Sequence, residues 1–176
     1  PDAWWYGRRV RGPVTLAMSL FGVEKTVMLM LEEEDLAHRF FDDIHRMLRG
    51  YIDIFNEEAG AEKVAKMHYG YRFNDDFCCM LNEDLYEEYA FPILNDIFQY
   101  TCPDRLQNCR FQHSDSEMAH LLPILSKLHF TQVNFGPTVL LDQIRKYMPD
   151  VCVEGCLNPM TLLTNDEEKI IGEVRR

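Results

Sequence analysis

The chain has 176 residues, 18 basic and 29 acidic, for a formal charge of −11; 47% are hydrophobic and 27% charged. This is enough apolar area to offset ordering entropy, which excludes a disordered or low-complexity protein. The acidity argues against a phosphate backbone as partner, since that demands clustered Lys and Arg. No apolar run approaches the roughly 20 residues of a membrane span; Val27–Leu31 runs straight into Glu32, Glu33 and Glu34. No basic-then-apolar leader opens the sequence, which predicts a cytoplasmic chain. A start at Pro1 without Met and an end inside a helical pattern predict a piece of a longer protein. Six cysteines (78, 79, 102, 109, 152 and 156) with no Cys-x-x-Cys spacing predict free thiols packed as small hydrophobes.

In chain order, Val10–Leu16 reads as a β-type run interrupted by a Gly-Pro turn signal. From Glu24 to Asn56 the apolar residues Leu29, Leu36, Phe40, Ile44, Leu48, Ile52 and Phe55 recur at helical spacing. Gly22 and Gly50 divide this stretch and Ala59-Gly60-Ala61 closes it. Lys63–Phe73 alternates apolar and polar residues, the period of a strand. Asn82 then caps a predicted helix through Tyr100. Predicted strands at Cys109–Asp115, Thr131–Phe135 and Val151–Glu154 alternate with predicted helices at Ser116–Leu128 and Thr138–Tyr147. A last helix opens near Thr164, where Asp166, Glu167 and Glu168 favour its positive end. Five β-then-α units imply a parallel sheet, because parallel strands need helical crossovers. The α/β reading is therefore about five units of a (βα)8 barrel, forming a single partial domain over residues 1–176, with a complete doubly wound domain as the alternative. No Gly-x-Gly-x-x-Gly or P-loop follows any strand, which removes the usual nucleotide-binding versions.

In both architectures functional groups collect beyond the carboxyl ends of strands. His113 and Asp115 lie two apart and so face one side of a strand, about 6.6 Å apart along it. Two such groups can converge on one ion or one substrate oxygen. Asp75 and Asp76 end another strand, where adjacent residues point to opposite faces so that at most one enters the mouth; a turn or cap role is the alternative. Asn134 and Asn158 sit at two further strand ends. Cys152 and Cys156, about 13 Å apart if extended, are too distant to share a zinc and read as packing residues. His38, His45, His120 and His129 read as surface or packing residues, and Glu32–Asp35 as a solvated face or helix start.

Several segments resemble the uroporphyrinogen decarboxylase superfamily, which also holds cobalamin-dependent methyltransferases. Arg11-Gly12-Pro13-Val14-Thr15-Leu16-Ala17 resembles its Gly-Pro-(hydrophobic)-Thr-Leu-Ala strand, and Glu58-Ala59-Gly60-Ala61 its helix end. Asp75-Asp76-Phe77 with Leu85–Pro92 is similar to its Asp-rich strand end and following helix. His113-Ser114-Asp115 resembles its His-Ser-Asp-Gly or His-x-Cys-Gly segment, and Gly155–Pro159 its Gly-Asn-(hydrophobic)-Asp-Pro turn. The blocks agree in order and spacing over nearly the whole chain.

The resemblance implies a (βα)8 barrel whose first and last strands lie outside this sequence. It departs from the decarboxylases, whose pyrrole-gripping Asp would lie before Pro1 and whose Tyr is replaced by Ser19; the Ser after the next strand appears as Asp76. In the methyltransferases a zinc is held by His-x-Cys and a later Cys. Here His113 matches, Asp115 takes the place of the first Cys, and the later Cys would fall beyond Arg176. The implied activity is methyl transfer between a corrinoid and a thiol or other acceptor, with His113, Asp115 and Asp76 catalytic. Zinc would sit on His113 and Asp115, and Asp75, Asn134 and Asn158 would bind a small-molecule substrate. A corrinoid protein is the implied partner. The alternatives are a carboxy-lyase of porphyrin biosynthesis, which needs no cofactor and is favoured by an Arg-lined mouth, and a non-catalytic corrinoid-binding barrel. Open sheet edges predict a homodimer, cover by missing parts, or poor solubility alone.

Overall fold

The computed structural model describes residues 9–66, 69–104 and 109–175. Its elements are β1 (Arg9–Arg11), α1 (Pro13–Phe21), α2 (Val23–Glu32), α3 (Glu34–Ala59), α4 (Ala61–Ala65) and β2 (Tyr69–Asn74). A tight turn, Asp76–Met80, leads to α5 (Glu83–Leu85), which runs through a widened turn at Tyr86–Ala90 into α6 (Phe91–Thr101). Then follow β3 (Cys109–Ser114), α7 (Leu122–Ser126), β4 (Gln132–Phe135), α8 (Leu141–Tyr147), β5 (Cys152–Gly155), α9 (Pro159–Thr164) and α10 (Glu167–Val174). All neighbouring strands pair in parallel in the order β1-β2-β3-β4-β5, and the sheet is not closed. Among the described residues no single helix is long and apolar enough to cross a membrane.

Several boundaries differ from the pattern in the sequence, each for a local reason. The run Val10–Leu16 is a strand only to Arg11; Pro13 opens α1, where its missing N–H leaves no bond unmade. Gly50 does not divide α3. Buried Ile44, Leu48 and Ile52 recur every four residues across it, and their packing outweighs the roughly 1 kcal/mol that glycine costs in a helix. The chain breaks instead at Glu33 (φ −135°, ψ 58°), where Glu34 and Asp35 supply acidic groups to the first turn of α3. Alternation holds only from Tyr69; residues 61–65 form α4, and Met67 and His68 lie outside the described residues. The helices predicted from Ser116 and Thr138 begin later, at Leu122 and Leu141. Asn82 does cap its helix, accepting from Leu85 N at 2.9 Å.

One sheet face carries Tyr71, Phe73, Val133 and Phe135, all buried beneath the helices. Phe98 of α6 meets Tyr71 at 5.6 Å, Phe73 at 5.8 Å and Phe130 at 5.7 Å between ring centroids, near the preferred spacing of aromatic pairs. Arg110 is buried on this face as well. Its guanidinium donates to Cys102 O at the end of α6 and to Leu128 O beyond α7, where helix C-terminal carbonyls favour a cation. The opposite face is polar. Alternation and register place Arg11, Asn74, His113, Asn134 and Glu154 in one row across it, and Arg9, Arg72, Phe111, Gln132 and Cys152 in the next. A closed barrel turns this face inward.

Candidate active site

The first row ends at the carboxyl tips of the strands, and its chemistry centres on β3. His113 Nδ1 lies 2.6 Å from Asn134 Oδ1 on β4. Asn134 in turn donates from Nδ2 to Glu154 O at 3.1 Å, so its Oδ1 is the acceptor and His113 Nδ1 carries the proton. A neutral ring then has its lone pair on Nε2, which stands 3.5 Å from Asp115 Oδ2. Gly155 makes this possible: at φ +85°, a Cβ there would come within 2.7 Å of Asn134 Nδ2. The ring is partly shielded, while the Asp115 carboxylate is 74% exposed.

Asp76 joins this group through Asp115. Its Oδ1 accepts from Asp115 N at 2.9 Å, and its carbonyl accepts from the Ser116 hydroxyl. The residues brought together are therefore His113, Asp115, Asp76 and Asn134. The other two expected substrate contacts are placed elsewhere. Asp75 is fully buried; its Oδ1 accepts from Thr15 N at 2.8 Å at the start of α1, so its carboxylate does not reach the open face. Burial pushes its pKa up to about 7, against donors from the first turn of α1 that lower it and the nearby charge of Asp76 that raises it further. Asn158 caps α9, accepting from Met160 N at 2.9 Å, while its own N–H donates to Glu173 Oε2. It faces a separate cleft of about 550 Å3 between the Pro137–Leu141 loop, the Gly155–Leu157 turn and the end of α10.

His113 and Asp115 offer a metal two donors of suitable type, an imidazole nitrogen and a carboxylate oxygen. Among the described residues no third His, Cys, Asp or Glu donor converges with them, so they fit as part of a ligand set. Three donors do converge at an exposed place: His38 Nε2 lies 3.0 Å from Glu88 Oε1 and 4.0 Å from Glu34 Oε1. The i, i+4 spacing of Glu34 and His38 is visible in the sequence; the approach of Glu88 is not. The cysteines are all free. Cys78 and Cys102 are buried, Cys79, Cys109 and Cys156 partly so, and Cys152 is exposed on β5 rather than packed.

Residues 9–176 match the family model described as Uroporphyrinogen decarboxylase (URO-D). Among solved structures, a methyltransferase from Methanosarcina mazei is similar, with a TM-score of 0.67 and 16% sequence identity, over 94% of this chain and 47% of that chain. The present chain spans about half the length of that structure, and the likeness is one of fold. No curated protein matches the sequence.

Proposed function

Because this chain belongs to the uroporphyrinogen decarboxylase family, we propose that it is part of a methyltransferase-like enzyme, moving a methyl group between a corrinoid and a thiol or other small acceptor. The observation that carries this reading is the placed imidazole: Nδ1 faces Asn134 Oδ1 at 2.6 Å, and Nε2 stands 3.5 Å from Asp115 Oδ2, so that the two groups can turn donor atoms toward one ion. Such an arrangement suits a ligand nitrogen whose tautomer is set by its outer hydrogen bond. His113 and Asp115 would hold zinc, completed by a ligand from outside the described residues. Zinc so held supplies Lewis acidity, which lowers the pKa of a bound thiol. Asp76 keeps the Asp115 backbone in place, and Asn134 keeps the ring from flipping. Substrate contact by Asn134 accords with its position in the same row. A corrinoid protein would be the partner, and six free cysteines accord with a cytoplasmic setting.

A second reading, carboxy-lyase chemistry, is favoured by Arg9, Arg11 and Arg72. They share the face of His113 from one and two strands away, where guanidinium groups can grip substrate carboxylates. Metal analysis of the intact protein separates the two. About one zinc per chain in the wild type, lost in His113→Ala, is the expected result. No metal in either would transfer the assignment to the lyase or to a non-catalytic barrel.

A further inference from the structure

The first turn of α1 has no cap of its own. Residue 12 is glycine, and the Thr15 N–H of the turn is met by a carboxylate from far along the chain. Helices are commonly capped by a Ser, Thr, Asp or Asn at this position, from within the same stretch of chain. The protein instead buries Asp75 completely, which is costly for a carboxyl group with no cation beside it among the described residues. Its hydrogen-bond donor, the Thr15 backbone N–H, belongs to α1, and Oδ2 has no partner among the described residues. The contact is reciprocal, since Phe77 N donates to Thr15 Oγ1 at 3.1 Å. Gly12 is the counterpart of this arrangement: a Cβ there would fall 2.3 Å from Asp75 Cγ.

What the clasp holds is the strand end that carries Asp76. Asp75 N donates to His113 O at 3.0 Å, and the next residue accepts from Asp115 N through its side chain. We propose that Asp75 is a positioning residue: by clasping α1 to the end of β2 it fixes Asp76, and through Asp76 sets Asp115 against His113. This rests on the reading of His113 and Asp115 as the reacting pair. The clasp works from beneath the sheet, and Asp75 itself touches nothing on the open face.

The test is nuclear magnetic resonance on the intact protein, with the histidine ring nitrogens and the Asp115 amide as reporters, alongside titration with zinc ions. Asp75→Ala and Gly12→Ala are each expected to move the Asp115 amide and the His113 ring resonances, and to weaken zinc binding about tenfold, the low end for outer-shell changes. Asp75→Asn keeps an acceptor for Thr15 N and is expected to leave both resonances in place. Leu48→Ala, in the core on α3, serves as a control that lowers stability without moving them. The proposal is overturned if Asp75→Ala behaves as Leu48→Ala does, destabilising the fold with both reporters unmoved. Should Asp75→Ala fail to fold, Gly12→Ala against Asp75→Asn decides by the same readout. If His113→Ala retains its zinc, the functional reading falls, whereas the resonance shifts still judge the clasp.

Discussion

Asp75 ties protonation to stability in a direction opposite to most carboxylates. Its folded pKa, about 7, lies above the ordinary 3.8, so the folded state holds its proton more tightly than the unfolded chain. That contribution is whole below about pH 4, declines as pH rises, and is gone above about pH 7. The rise corresponds to on the order of 4 kcal/mol. Around this carboxyl lie Asp76, Tyr71, Tyr86 and Cys78; burial and the Asp75 charge push the latter three further up, so they stay neutral over this range. Chemical denaturation of wild type and Asp75→Asn at pH 4 and pH 7 is expected to show the variant losing most of this slope. Asn134→Ala frees the His113 ring to exchange tautomers, and zinc affinity measured by competition is expected to drop tenfold or more. His113 and Asp115 were legible in the sequence because period-two spacing alone puts them on one side. Asn134 as the ring's acceptor, and Asp75 as a cap for α1, were not, because both depend on strands and helices meeting across long stretches of chain.

Among the elements, patterns governed by local chemistry were easiest to read and those governed by packing hardest. Asn82 acts at its own helix start, as its residue type foretold; Asn82→Ala should cost about 1 kcal/mol in a denaturation midpoint measured at constant slope. Gly50 and the Gly12-Pro13 pair misled in opposite ways. One is a breaker overruled by a buried stripe, and the other a turn signal that proved to be a helix opening. Arg110 gave no signal at all, since nothing local tells a strand arginine that it will be buried against carbonyls. Arg110→Met removes the donors to Cys102 O and Leu128 O, and an unfolding free energy lower by about 2 kcal/mol or more is expected.

For the whole molecule, alternation of strands and helices was sufficient to foresee a parallel sheet, because parallel strands need helical crossovers; the sequential order, which separates a barrel segment from a doubly wound sheet, came from the strand pairing. What it did not convey is the contrast between faces: an aromatic layer under the helices, and a face that runs from arginines on β1 and β2 to the Glu154 carboxylate on β5. Strands β1 and β5 each pair on one side only among the described residues. Unpaired edges of this kind seek partners. Light scattering of the 176-residue chain is expected to show mass rising with concentration; a monomer throughout would mean that side chains on these edges suffice to block pairing.

The clasp between α1 and Asp75 also has a bearing on the order of assembly. Its two halves are 60 positions apart. During synthesis α1 leaves the ribosome long before the carboxylate that completes it, and a nine-residue helix without its cap is marginal in water. The amino-terminal turn therefore frays until β2 has been laid beside β1, and the β2 tip is itself pinned only when β3 supplies its backbone carbonyl. Non-local contacts of this kind are slow to form. Helix α1, made before every strand that fixes it save β1, is thus among the last of the described elements to lock.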